Sequence, residues 1–244
     1  MSRQPVTVVT GGSRGIGAAI CVRLAADGHD VALGYRADAS AAEAVAAAVG
    51  ATGRRCVTVR LDTTDERGVD RLFETAAAEL GPVTGLVNNA GVGGPVGPLA
   101  DADAAGMRRS LEVNVLGYLL CARRAVRDMT RTGGGSIVSI SSAAATLGSS
   151  GEYVYYAAAK AAVDTMTTGL SKEVAAAGIR VNAVAPGIIR TGFHADPERP
   201  DRRASAIPLG RPGQPEEISG AVSWLLLDDA SYATGAILRV AGGL

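Results

Sequence analysis

Val6-Thr7-Val8-Val9-Thr10 runs directly into Gly11-Gly12-Ser13-Arg14-Gly15-Ile16-Gly17, and an alanine-rich amphipathic stretch follows. A β-branched run, a glycine-rich turn and a helix start in that order have the layout of a phosphate-binding strand-loop-helix. The glycines let the backbone turn tightly and approach a pyrophosphate, while the helix opening near Ile16 aims its unpaired N–H groups and positive dipole end at that anion. The spacing is Gly-x-x-x-Gly-x-Gly, a departure from the commoner Gly-x-Gly-x-x-Gly, and a plain tight turn is the competing reading of the loop by itself. Gly11, Ser13, Arg14, Gly15, Ile16 and Gly17 are the candidate nucleotide contacts.

The same alternation continues along the chain. Short β-branched runs predict strands over residues 6–10, 30–35, 56–62, 85–89, 136–141, 180–185 and 237–240. Longer alanine-rich patterns predict helices over residues 16–27, 39–49, 65–80, 107–130, 155–177 and 215–227. Strands alternating with helices call for a parallel sheet covered on both faces, a doubly wound α/β architecture of seven strands. Helix-start signals accompany the pattern: Thr64 or Asp65, then Asp101 and Asp103, then Pro215-Glu216-Glu217. Glycine- and proline-rich segments at residues 91–99 and 186–214 follow strand ends, where an open α/β sheet places its ligand crevice. The second is long enough to form a substrate lid, with a short helix or a solvated excursion over residues 196–203.

At 244 residues with no break in composition, a single domain over residues 1–244 is expected. Lys plus Arg and Asp plus Glu number 24 each, so no summed basic field points to nucleic acid, and small molecules are the expected partners. Cys21, Cys56 and Cys121 form no Cys-x-x-Cys pair and are odd in number, which fits reduced thiols in a cytoplasmic protein. No apolar stretch approaches the ~20 residues of a membrane span. Only two histidines exist, His29 and His194, and no Cys/His spacing matches a metal motif.

The chemistry-bearing segments come in a fixed order: the glycine loop, Asn88-Asn89-Ala90-Gly91, Ser141-Ser142, Tyr156-Ala157-Ala158-Ala159-Lys160, Pro186-Gly187 and a terminal Gly242-Gly243. In that order and spacing the chain resembles the short-chain dehydrogenase/reductase family along essentially its whole length. Residues four apart on a helix share a face, so Tyr156 and Lys160 can act as a unit. Tyr153 and Tyr155 have alanines at that offset, leaving Tyr156 in register with the lysine. A tyrosine titrates near ~10, and an adjacent ammonium favours its phenolate, so Lys160 is expected to lower it. Ser142, at a strand's carboxyl end, can donate to a carbonyl oxygen or to a developing alkoxide.

The resemblance implies a Rossmann-type fold and the roles. Tyr156 exchanges the proton, Ser142 orients and stabilises, Lys160 tunes the tyrosine and holds the nicotinamide ribose, and Asn114 matches the fourth catalytic position. It also implies cofactor contacts at Asp62, Asn89, Ala90, Gly91, Pro186, Gly187, Ile189 and Thr191, and a homodimer or homotetramer. Members that reduce carrier-protein substrates often have a basic residue before the glycine closing the Tyr/Lys helix; Ala177 precedes Gly178 here.

Cofactor type follows from charge at the end of the second strand. An acid there binds the ribose hydroxyl of NAD, whereas a base accommodates the 2′-phosphate of NADP. Arg36 takes that place and Arg14 lies in the glycine loop, so NADP(H) is expected over NAD(H); Asp38 reaching back to the ribose is the counter-reading. The substrate pocket is expected to draw on residues 143–153, 93–96 and 188–193. His194, Arg190, Arg199, Arg202 and Arg203 read either an anionic group or, by the preferred reading, solvent. The expectation is an NADP(H)-dependent oxidoreductase interconverting a small carbonyl and alcohol. An NAD(H)-dependent sugar or polyol dehydrogenase and a non-catalytic cofactor-sensing protein are the alternatives.

Overall fold

The strand Val6–Thr10 at the centre of the sheet is read twice in the sequence, once for each face it presents. Val8 belongs to a core with Leu72, Phe73, Leu86, Met129 and Ile137, while its neighbour Val9 belongs to a second core with Ile20, Leu24, Leu33, Ile218 and Leu225. The period of two makes one strand feed both layers, so near-continuous apolar runs replace alternation. Each fully buried Leu, Ile or Phe among them contributes about 1.5–3 kcal/mol of transfer free energy.

The computed structural model describes residues 4–193 and 196–244. Its strands are β1 (Val6–Thr10), β2 (Asp30–Tyr35), β3 (Cys56–Arg60), β4 (Gly85–Asn88), β5 (Gly135–Ile140), β6 (Ile179–Pro186) and β7 (Ile237–Val240). They form one sheet in the order β3-β2-β1-β4-β5-β6-β7, and every pairing is parallel. Val8 pairs with Ala32 on one side and Leu86 on the other, so the chain order reverses around β1. That reversal opens a crevice at the carboxyl ends of the strands.

Helices α1 (Gly15–Ala26), α2 (Ala39–Gly50) and α9 (Pro215–Leu226) cover the Val9 face. Helices α3 (Glu66–Glu79), α5 (Gly117–Thr132) and α7 (Val154–Val174) cover the other. Shorter helices α4 (Ala104–Leu111), α6 (Ala144–Leu147) and α8 (Arg199–Arg202) border the crevice. Among the described residues no helix is long and apolar enough to cross a membrane.

Helix starts follow the capping chemistry. The carboxylates of Asp38, Asp65 and Asp103 accept from the first backbone N–H groups of α2, α3 and α4, and Glu217 closes a capping box on Gln214 at α9. α1 is different: Arg14 is extended at its N-cap and supplies no side-chain bond.

One element departs from expectation. A single helix over residues 107–130 is replaced by α4, a π-helical turn at Glu112–Leu116, and α5. Asp103 starts the helix three residues early by capping Ala105 and Gly106. The π turn carries Asn114, and such turns concentrate at functional sites.

Candidate active site

The crevice is a cavity of about 1070 Å³ that runs from the end of β2 across the glycine loop to the start of α7 and the lid. Two glycines explain the shape of its floor. Gly11 has φ +64°, and a Cβ there would stand 2.9 Å from Ala90 Cα; a Cβ on Gly17 would stand 2.2 Å from the Gly11 carbonyl oxygen. No side chain larger than hydrogen fits at Gly17 without moving the loop.

Asn89 holds the loop from the next strand. Its Nδ2 donates to the carbonyl oxygens of Thr10 and Gly11, both at 3.0 Å. The Thr10 hydroxyl in turn accepts from the Asn89 and Ala90 N–H groups. Asn89 therefore acts through its side chain as a strut between β1 and β4.

Every expected cofactor contact lines this one cavity: Gly11, Ser13, Arg14, Gly15, Ile16, Gly17, Arg36, Asp62, Asn89, Ala90, Gly91, Tyr156, Lys160, Pro186, Gly187, Ile189 and Thr191. At its far end Arg36 Nε lies 3.5 Å from Asp62 Oδ2, and Arg109 donates to the same oxygen at 2.7 Å. Burial pushes the Asp62 carboxyl up, but the Thr64 backbone N–H, the Arg109 guanidinium and the Thr64 hydroxyl outweigh it and hold the group below the usual carboxylate range. Asp38 is committed to capping Ala41 N at 2.9 Å. The uncapped start of α1, the bare glycine floor and the two arginines suit an elongated group carrying phosphates, as a nicotinamide dinucleotide does.

At the other end Tyr156 is buried, lining the cavity together with Ser142, edge-on to Tyr153 at 5.3 Å and 5.8 Å from the Phe193 ring. Tyr155 points elsewhere, donating to Pro95 O at 2.7 Å. This anchors Pro95 away from the cavity and leaves Val96 more than half exposed, so of residues 93–96 only Gly93 and Gly94 line the pocket.

Lys160 Nζ stands 5.7 Å from the Tyr156 ring centroid. It donates to Ile140 O at 2.8 Å and to the Tyr118 hydroxyl at 3.2 Å. The expected acidification of Tyr156 by this lysine is not seen. Burial lifts the phenol well above its ordinary range, opposed by Ser142 and Arg199 and reinforced by Tyr153. Burial also draws Lys160 down, to about 7.

Asn114 lies outside the cavity lining, fully buried behind it. Its Nδ2 donates to Val92 O at 2.8 Å and Ser110 O at 2.9 Å, whereas Oδ1 has no partner and faces Gly91. Its observed contacts thus tie the π turn to the loop after β4.

Sequence reading missed Tyr118, whose hydroxyl donates to Ile140 O and accepts from Lys160. For the lid arginines it preferred solvent to an anionic group. Arg190 pairs with Asp201 and Arg202 with Asp196, but Arg199 and Arg203 line the cavity and both donate to Glu152. Their spacing of four was the available signal, since it sets them on one helical face. His194 lies outside the described residues. Among those residues no group of three or more His, Cys, Asp or Glu is placed to hold a metal ion.

Residues 11–244 match the family model described as "Enoyl-(Acyl carrier protein) reductase". The chain belongs to the short-chain dehydrogenase/reductase family. It is 46% identical over 244 residues to the uncharacterized oxidoreductase YgfF of Escherichia coli strain K12, covering 98% of this chain and 99% of that one. A short-chain type dehydrogenase/reductase from Mycobacterium marinum superposes with TM-score 0.93 at 32% identity, covering 98% of this chain and 94% of the other. A blue fluorescent protein from a metagenomic library, solved in complex with NADPH, superposes with TM-score 0.90 at 40% identity, covering 98% and 97%. The protein is thus an oxidoreductase of alcohol and carbonyl groups with a nicotinamide cofactor.

Proposed function

We propose that this short-chain dehydrogenase/reductase prefers NADP(H) and interconverts a small carbonyl compound and its alcohol, with the proton passing through Tyr156. The observation carrying this reading is the single cavity that joins the glycine floor to Ser142, Tyr156 and Lys160. When bound, the nicotinamide supplies or accepts the hydride at its C4. Gly11, Ser13, Gly15, Ile16 and Gly17 would hold the phosphates, and Asn89, Ala90, Gly91, Pro186, Gly187, Ile189 and Thr191, which line the same cavity, would hold the rest of the cofactor.

Support for NADP(H) is electrostatic. The end of β2 presents Arg36 to the cavity, and Asp38, which also lines it, uses one carboxylate oxygen to cap α2. Arg36 and Arg14 are the groups to meet a 2′-phosphate by charge-assisted bonds. The NADPH complex of the structural relative agrees with this.

Ser142 holds the substrate oxygen, and in the reducing direction the neutral Tyr156 hydroxyl gives its proton to the oxygen as hydride reaches the carbon. The alcohol gains one hydride on carbon and one proton on oxygen. Burial keeps the phenol protonated near neutrality, so donation is its resting role. Lys160, anchored on Ile140 O and the Tyr118 hydroxyl beside the Tyr156 ring, would hold the nicotinamide ribose.

Buried free Cys21 and Cys121 support a reducing, cytoplasmic setting. Leu111, Leu116 and Leu119, exposed around the α4 to α5 junction, support self-assembly into a homodimer or homotetramer. A panel of ketones and aldehydes assayed with NADPH and NADH tests the activity. NADPH should be oxidised with kcat/KM at least about tenfold above NADH; equal use of both, or preference for NADH, contradicts the cofactor reading.

A further inference from the structure

The lid end of the cavity carries a charged cluster that hydride and proton transfer do not require. Glu152, two residues before α7, accepts from Arg199 at 2.6 Å and also from Arg203. The Glu152 and Arg199 side chains are 18% and 12% exposed, so this pairing lies in a partly dewatered wall; Arg203 is half exposed. Two guanidinium groups thus share one carboxylate, leaving one positive charge over. The other lid arginines do not contribute, because Arg190 and Arg202 are paired with Asp201 and Asp196 outside the cavity lining.

Distance ties the cluster to the chemistry. The Arg199 guanidinium stands over the Tyr153 ring at 5.6 Å, and Tyr153 meets Tyr156 edge-on at 5.3 Å. One aromatic ring therefore separates the cation from the proton-exchanging phenol. Ala144, Leu147 and Phe193 supply an apolar wall for a substrate body lying between them.

Resting on the carbonyl and alcohol reading above, we propose that Arg199 and Arg203 form a carboxylate-binding subsite, so that the preferred substrates are keto acids and hydroxy acids with a short apolar spacer between the two functions. Guanidinium donors match a carboxylate by paired, charge-assisted bonds, and the single surplus charge matches a monoanion better than a phosphate dianion. Glu152 competes with the incoming carboxylate for both guanidinium groups.

The test is a matched series of ketones of equal size ending in a carboxylate, a carboxamide or a methyl ester, assayed with the intact chain and NADPH. The carboxylate should show kcat/KM at least about tenfold above the carboxamide. Arg203→Gln, a change at the half-exposed position, should shrink that ratio about tenfold, and Glu152→Gln should enlarge it. A parental ratio near one, or a ratio that neither variant moves, overturns the subsite while the oxidoreductase reading stands. If no member of the series is turned over although NADPH binds, both readings fall.

Discussion

The two ends of the cavity are made of different material. At the glycine loop the wall is backbone, held by Asn89 amide bonds to Thr10 and Gly11 and open only because Gly11 and Gly17 lack a Cβ. At the lid the wall is side chains, Glu152 bridged to Arg199 and Arg203 beside three aromatic rings. Backbone walls recognise what every dinucleotide shares, phosphate and its geometry, whereas side-chain walls change with each substitution. The first end fits a common cofactor and the second an individual substrate.

Between them sits Tyr156, and removing its hydroxyl should have the largest effect. Tyr156→Phe should lower kcat by about 10³-fold, within the range of lost acid–base catalysis, while nicotinamide fluorescence shows nearly parental cofactor affinity. Loss of binding as well would mean the phenol belongs to the cofactor wall. Next comes Gly17→Ala, whose new methyl collides with the Gly11 carbonyl. Cofactor Kd should rise about 100-fold, roughly 2.7 kcal/mol, in the same titration; tolerance of the methyl would show that the floor is not tightly fitted.

A smaller effect is expected at Arg36. Arg36→Leu should cut the preference for NADPH over NADH by about tenfold, the worth of one charge-assisted bond, and an unchanged preference would return the phosphate to Arg14 alone.

A separate effect is on stability. Lys160 falls from an ordinary value near 10.5 to about 7 in the folded protein, so the folded state binds fewer protons than the unfolded chain between those values. Its destabilisation is complete below pH 7 and fades as the pH rises towards 10.5. Relative to Lys160→Met, the parent should gain about 1 kcal/mol per pH unit in that window, read by urea unfolding at pH 7, 8 and 9. A constant difference would show that burial does not govern this lysine.

The sequence revealed the backbone end more fully than the side-chain end. Alternating runs placed all seven strands, and the glycine spacing located the floor, because both are local signals. The π turn at Glu112–Leu116 escaped because no periodicity marks one extra residue in a turn. Lys160's depressed value escaped because burial depends on Tyr118 and Ile140, far away in the chain. Glu152 and Arg199 lie 47 residues apart, and only the folded lid brings them together.

The central claim is that a cofactor on the glycine floor meets the substrate beside Tyr156, and isotope transfer tests it most directly. The protein is mixed with a ketone substrate and with NADPH carrying deuterium at C4 in both positions, and the product alcohol is examined by mass spectrometry and NMR. The account predicts one deuterium on the carbinol carbon in the parent, and bound but unreacted cofactor in Tyr156→Phe. Alcohol formed without deuterium, or transfer at the parental rate in Tyr156→Phe, would contradict it.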